Sequence, residues 1–154
     1  MNQLPQNMIT DYEKLFAAEK EKAGVGPNQA DYMPEGRTHI TSRGLRVRSK
    51  SEVLIAEKLY EYGIDFRYEE VLKIGKYTFV PDFTVRRRDG KVFYWEHCGR
   101  TSDEEYMTRH RRKMELYEIA GIVPWDNLIV TYDDEEGNIN IAAAEGEIKA
   151  KLLV

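Results

Sequence analysis

A mixed α/β fold is what this sequence predicts, with a small central sheet of about four to five strands flanked by helices. Three observations lead there. Capping-box tetrads at Thr10–Glu13, Ser49–Glu52 and Ser102–Glu105 each open a stretch with apolar residues at helical spacing. Between the second and third of these the period falls to two, as half-buried strands require. Asp89-Gly90 then joins two aromatic and β-branched runs, FVPDFTV and KVFYWEHC, in the manner of a hairpin. The resulting order is α, α, β, β, β, α, β.

Taken in turn, the first helix carries Tyr12, Leu15, Phe16 and Ala23 and stops at Gly24. Gly24, Gly26, Pro27, Pro34, Gly36 and Gly44 mark a mobile or surface-wrapping stretch after it. The second helix shows a broad stripe of Val53, Ile55, Ala56, Leu59 and Tyr60 ending at Gly63. A strand of alternating character follows from Phe66 to Leu72. The next two are expected over Tyr77–Val85 and Lys91–Cys98, antiparallel to one another. The helix opened by Ser102 places Tyr106, His110, Lys113, Tyr117 and Ala120 on one stripe and stops at Gly121. Leu128–Tyr132 is a fourth strand, and Ile139–Val154 a short strand, a helix, or both. Residues 1–45 are therefore expected to form an N-terminal helix and a Gly/Pro-rich wrap or arm, and residues 46–154 one core domain.

Composition narrows the function classes. The 154 residues include 42% hydrophobic and 32% charged ones, with no apolar run long enough for a membrane span. A soluble, cytoplasmic protein without a membrane partner is the expectation, and the single cysteine, Cys98, fits a reducing compartment. The net charge of −4 argues against an indiscriminate polyanion binder, yet basic residues are clustered. Arg37, Arg43, Arg46, Arg48 and Lys50 form one group; Arg86–Arg88 and Arg109–Lys113 form two more.

Four residues stand out against this background. Strand alternation puts Tyr94, Glu96 and Cys98 on one face and Phe93, Trp95 and His97 on the other. Aromatics on both faces mark an interior strand, where Glu96 requires a cation, a donor or a metal. Asp82 follows Pro81, a residue tolerated at strand edges and bulges, and the hairpin brings it level with Glu96 on the adjacent strand. Two converging carboxylates repel, and a divalent ion such as Mg²⁺ is the common remedy. Glu52 heads the apolar stripe of its helix, where it either faces the sheet or merely completes a cap. Lys113 lies between His110 and Tyr117, its stem on the core and its ammonium able to reach the sheet or to snorkel into water.

In these residues the chain resembles the PD-(D/E)xK nuclease superfamily, the restriction-endonuclease-like fold with an αβββαβ core. The resemblance spans about Arg46 to Tyr132 and rests on Ser49-Lys50-Ser51-Glu52, Pro81-Asp82 and Glu96-His97-Cys98. The sequence departs from the pattern at Cys98, where a lysine belongs. Lys113 on the following helix matches the subgroup in which that lysine has migrated, and Glu-His-x-Gly before this helix is similar to nucleases of phage and mobile elements.

The resemblance implies a Mg²⁺- or Mn²⁺-dependent phosphodiesterase, acting as an endonuclease on DNA in preference to RNA. It implies metal ligation by Asp82, Glu96 and the backbone carbonyl of His97, with Glu52 holding a second ion or a water, and Lys113 at the nucleophile. Arg46, Arg48 and Lys50 would hold the substrate backbone. A homodimer would let so compact a nuclease cut both strands. The alternatives are a catalytically degenerate nuclease-fold module that binds nucleic acid or protein without cleavage, a zinc site from His39, His97, Cys98 and His110, and a Cys98 nucleophile.

Overall fold

The computed structural model describes residues 34–153, so the helix expected before Gly24 lies outside the described residues. After a 3₁₀ turn at Pro34–Gly36 the chain forms β1 (His39–Ile40), β2 (Arg46–Val47), α1 (Lys50–Glu61), β3 (Asp65–Tyr68), β4 (Leu72–Ile74) and β5 (Tyr77–Phe79). Then come β6 (Phe83–Arg86), β7 (Val92–Cys98), α2 (Glu104–Ile119), β8 (Leu128–Tyr132) and α3 (Ile141–Glu147), which runs into a π turn at Ile148–Leu152. The expected α/β class holds. The central sheet has four strands in the order β3-β6-β7-β8, while β1-β2 and β4-β5 are separate two-stranded ribbons.

The hairpin places β6 antiparallel to β7, and β3 pairs antiparallel on the far side of β6. β8 instead runs parallel to β7. That geometry demands a crossover, and α2 supplies it. Each face of the sheet is covered by helix. Phe83, Val85, Phe93, Trp95 and Ile129 pack against Ile55, Ala56 and Leu59 of α1 and Ala144 and Ile148 near the C-terminus. On the other face Leu128, Tyr94 and Val130 meet Leu116 and Tyr117 of α2. β7 therefore has core on both sides, which explains its unbroken aromatic sequence. Trp95 is wholly buried, and truncating it to alanine would cost about 3–5 kcal/mol.

Helix boundaries follow local chemistry. The Ser49 side chain accepts from the Glu52 amide to cap α1, and Gly63, with φ of 66°, takes the left-handed turn after Tyr62. In α2 the cap is Asp103, which accepts from Tyr106, so the helix begins one position beyond the Ser102 start expected from the tetrad.

Two strands differ from the sequence expectation in a way that shapes the site. The run from Phe66 to Leu72 is interrupted at Glu69, whose φ is 51°, and its continuation becomes β4. The run from Tyr77 to Val85 is interrupted at Pro81-Asp82, so Asp82 precedes β6 instead of lying within a strand. Proline has no N–H for the ladder. The Glu69 amide donates to the Asp82 carbonyl at 2.9 Å, closing the sheet there and letting the β4-β5 ribbon loop aside.

Candidate active site

Asp82 and Glu96 meet because of register. Phe83 opposes Trp95 across the β6–β7 pair, so one step outward Asp82 opposes Glu96. Residues directly opposite on antiparallel strands share a face, the one covered by α2. The His97 amide donates to Asp82 Oδ2 at 2.7 Å, fixing the carboxylate against the strand that carries Glu96.

α2 brings the other half. Lys113 and Tyr117 lie one turn apart on its inner stripe and converge on a single atom: Lys113 Nζ is 2.8 Å from Glu96 Oε1, and the Tyr117 hydroxyl donates to the same oxygen at 2.5 Å. Glu96 is only 4% exposed. Cys98, two residues on, is fully buried with its Sγ 3.5 Å from Met107 Sδ, which places the thiol in packing under α2. Burial pushes its pKa up, the reverse of what a nucleophilic thiolate needs.

Glu52 is more than a cap. Ser49 performs the capping, and the Glu52 carboxylate turns inward, accepting from the Arg48 amide and the Tyr68 hydroxyl, both at 3.0 Å. Burial, then the nearby Glu69 charge, raise its pKa to about 7. The Asp82 carboxyl is likewise held well above the usual range, first by burial and then by repulsion from Glu96 and Glu52; Lys113 opposes this. The other three sequence-selected residues thus all act on the Asp82 carboxyl. The balance around it is negative.

Further residues complete the site without having been singled out from sequence. Tyr117 was visible on the Lys113 stripe, but a core tyrosine carries no mark of its hydrogen bond. Glu69 is buried and bridged by Arg37 at 2.9 Å and Arg48 at 2.6 Å, while the Arg37 guanidinium lies 5.4 Å from the Tyr68 ring centre. Arg48 is therefore tied into this support, and Arg46 and Lys50 stand exposed on either side of it. His97 turns its ring to the opposite face, toward Thr131 and Asp133.

The converging donors are carboxylate oxygens, which suit a hard divalent cation, and the raised Asp82 pKa is what an added positive charge would relieve. Among the described residues no three His, Cys, Asp or Glu side chains gather as a ligand cage. That includes His39, His97, Cys98 and His110, the zinc set considered from sequence. A Mg²⁺ ion held by one or two carboxylates, with water completing its shell, does not require such a cage.

No protein-family model matches the chain. Over 84 residues it is 37% identical to the Methanocaldococcus jannaschii protein described as "Uncharacterized protein MJ1519", a match covering 53% of this chain and 7% of that protein. Among solved structures it is distantly similar to a chain in the cryoEM structure of a DrdV-DNA complex, with TM-score 0.36 and 14% identity, covering 93% of this chain and 13% of that one. The chain thus spans a small fraction of either protein. At that score and identity nothing about activity passes from the complex to this chain.

Proposed function

We propose that this chain is a metal-dependent nuclease that hydrolyses phosphodiester bonds, in DNA before RNA, with Mg²⁺ or Mn²⁺ as cofactor. One observation carries the proposal: the Lys113 ammonium lies 2.8 Å from Glu96, at the sheet end where Asp82 faces Glu96. A lysine beside paired carboxylates is the residue set that phosphodiester hydrolysis uses, and its delivery from α2 accounts for a cysteine at position 98.

Asp82 and Glu96, with the backbone carbonyl of His97, would hold the ion; Glu52 would hold a second ion or an ordered water. When bound, the metal polarises the phosphate and lowers the pKa of the attacking water. Lys113, anchored on Glu96, orients that water and stabilises negative charge as it develops. The Tyr117 hydroxyl keeps the shared Glu96 oxygen in place. Arg46 and Lys50 contact the substrate backbone without reading its sequence, and Arg48, bridged to Glu69, steadies the segment that carries them.

The test is incubation with supercoiled, linear and single-stranded DNA and with RNA, in Mg²⁺, Mn²⁺ or chelator. The expected result is metal-dependent cleavage of DNA. Retained DNA affinity with no cleavage in either metal would instead establish a catalytically degenerate binding module.

A further inference from the structure

A buried chain of hydrogen bonds runs behind the carboxylates, on the opposite face of β7. Trp95 Nε1 donates to Thr131 Oγ1 at 3.0 Å; Thr131 Oγ1 lies 2.8 Å from His97 Nδ1; His97 Nε2 lies 2.7 Å from Asp133 Oδ1; and the Ser51 hydroxyl donates to that same Oδ1 at 2.6 Å. The two ends fix part of the direction: an indole N–H can only donate, so Thr131 accepts there, and a carboxylate can only accept, so His97 Nε2 donates to Asp133. Burial pushes the His97 pKa down against the pull of Asp133, which favours a neutral ring whose Nδ1 accepts from the Thr131 hydroxyl.

The residue types are those of a hydrolytic triad, but the connectivity is not. Ser51 and His97 both donate to Asp133, so the hydroxyl has no base to take its proton, and Ser51 is buried at 3% exposure. The positions explain the network better. Ser51 precedes Glu52 on α1; His97 follows Glu96 on β7, and its amide holds Asp82. Asp133 lies just beyond β8, where its own amide donates to the Cys98 carbonyl at 2.9 Å. One carboxylate oxygen therefore ties together the helix carrying Glu52 and the strand carrying Glu96.

We infer that Asp133 is a positioning residue for the metal site, setting the spacing of Glu52 from Glu96 and Asp82 and the presentation of the His97 carbonyl. This rests on the nuclease proposal above. It acts through Ser51 and His97, and touches neither substrate nor metal itself. Outer partners that orient metal ligands typically change affinity 10- to 100-fold when removed.

The experiment is Mn²⁺ titration by calorimetry on the full chain, with melting curves and steady-state cleavage of a DNA duplex, for the parent, Asp133→Ala, Asp133→Asn, Ser51→Ala and Asp82→Asn. Asp133→Ala should weaken Mn²⁺ binding about 10- to 100-fold and lower kcat while leaving KM for DNA nearly unchanged. Asp133→Asn keeps an Oδ1 that accepts both bonds and should recover most of the affinity, which a loss through general destabilisation would not do. If Asp133→Ala does not fold, Ser51→Ala carries the test, with an expected loss of several-fold in Mn²⁺ affinity by the same tethering. Parent-like Mn²⁺ affinity in Asp133→Ala, or in Ser51→Ala where that variant carries the test, overturns the inference. If Asp82→Asn abolishes binding in that case, the nuclease proposal survives alone; if Asp82→Asn binds as the parent does, both fall.

Discussion

Asp82 and Asp89 stand at opposite ends of β6, and their carboxyls are pushed in opposite directions. Asp89, in the exposed hairpin, accepts from both Arg87 Nε and Nη2 and from the Lys91 amide, and its pKa is lowered to about 2. Asp82 is buried beside Glu96 and Glu52, and its pKa is raised. The difference shows what a carboxylate is for. At the hairpin each charge is answered locally, by Arg87 for Asp89 and by Lys91 for Asp126. At the other end Glu96 and Asp82 share the Lys113 charge, and the charge opposing Glu52 is that of Arg48, which is itself bridged with Arg37 to Glu69. A protein that needed only stability would not keep that imbalance, because buried uncompensated charge costs several kcal/mol. Under the proposed function, a cation from solution would resolve it.

The largest effect should come from removing the imbalance itself. Asp82→Asn, or Glu96→Gln, is expected to reduce Mg²⁺-dependent cleavage by roughly a thousand-fold or more, since metal-polarised chemistry contributes several kcal/mol. The same Asp82→Asn should raise the metal-free protein's stability by about 1–3 kcal/mol, as a repelling buried charge is lost. Asp89→Asn should leave cleavage unchanged and, as an exposed, screened ion pair is lost, lower the melting temperature slightly instead of raising it. Denaturant melts and plasmid cleavage on these variants read both signs; a destabilised Asp82→Asn would break the contrast between the two ends.

Lys113→Ala comes next. Loss of a group that stabilises developing charge should lower kcat by about 100- to 1,000-fold with little change in KM. Undiminished turnover would remove Lys113 from the chemistry. Cys98→Lys is not expected to rescue it, because the thiol sits fully buried against Met107 and a longer side chain would overpack that contact.

The smallest effect is a pH slope. Glu52 titrates near 7 in the fold against 4.5 as its ordinary value. Between these values the folded state binds more protons than the unfolded, so the metal-free protein should lose stability as pH rises from about 4.5 to 7. The loss should be on the order of 2–3 kcal/mol by linkage. Saturating Mg²⁺ should flatten the slope by favouring the ionised carboxylate, and urea midpoints across that range with and without metal measure it. A stability that rises over the same interval would contradict the environment described for Glu52.

Much of this molecule was written in local sequence. Ser49 announced α1, Asp89-Gly90 announced the hairpin, and the alternation in KVFYWEHC placed Glu96 and His97 on opposite faces of a central strand. From those, the level pairing of Asp82 with Glu96 followed, because antiparallel register is set by the turn. Local pattern marked Pro81 but could not place the break at Glu69, whose amide bonds to the Asp82 carbonyl on a distant segment. It also could not separate Glu52 the cap from Glu52 the inward carboxylate. That difference is made by Tyr68, sixteen positions away.

What the sequence by itself determined, then, is the succession of α1, β6, β7, α2 and β8, the face each side chain of β7 occupies and the carboxylate pair, because these follow from short-range periodicity and turn chemistry. What only the tertiary structure decided is which charges meet. Lys113 reaches Glu96, Arg37 and Arg48 close on Glu69, and Asp133 gathers Ser51 and His97. Those encounters depend on how helices dock on the two faces of one sheet, and docking is governed by packing across the whole core, for which no local stretch of sequence carries a signal.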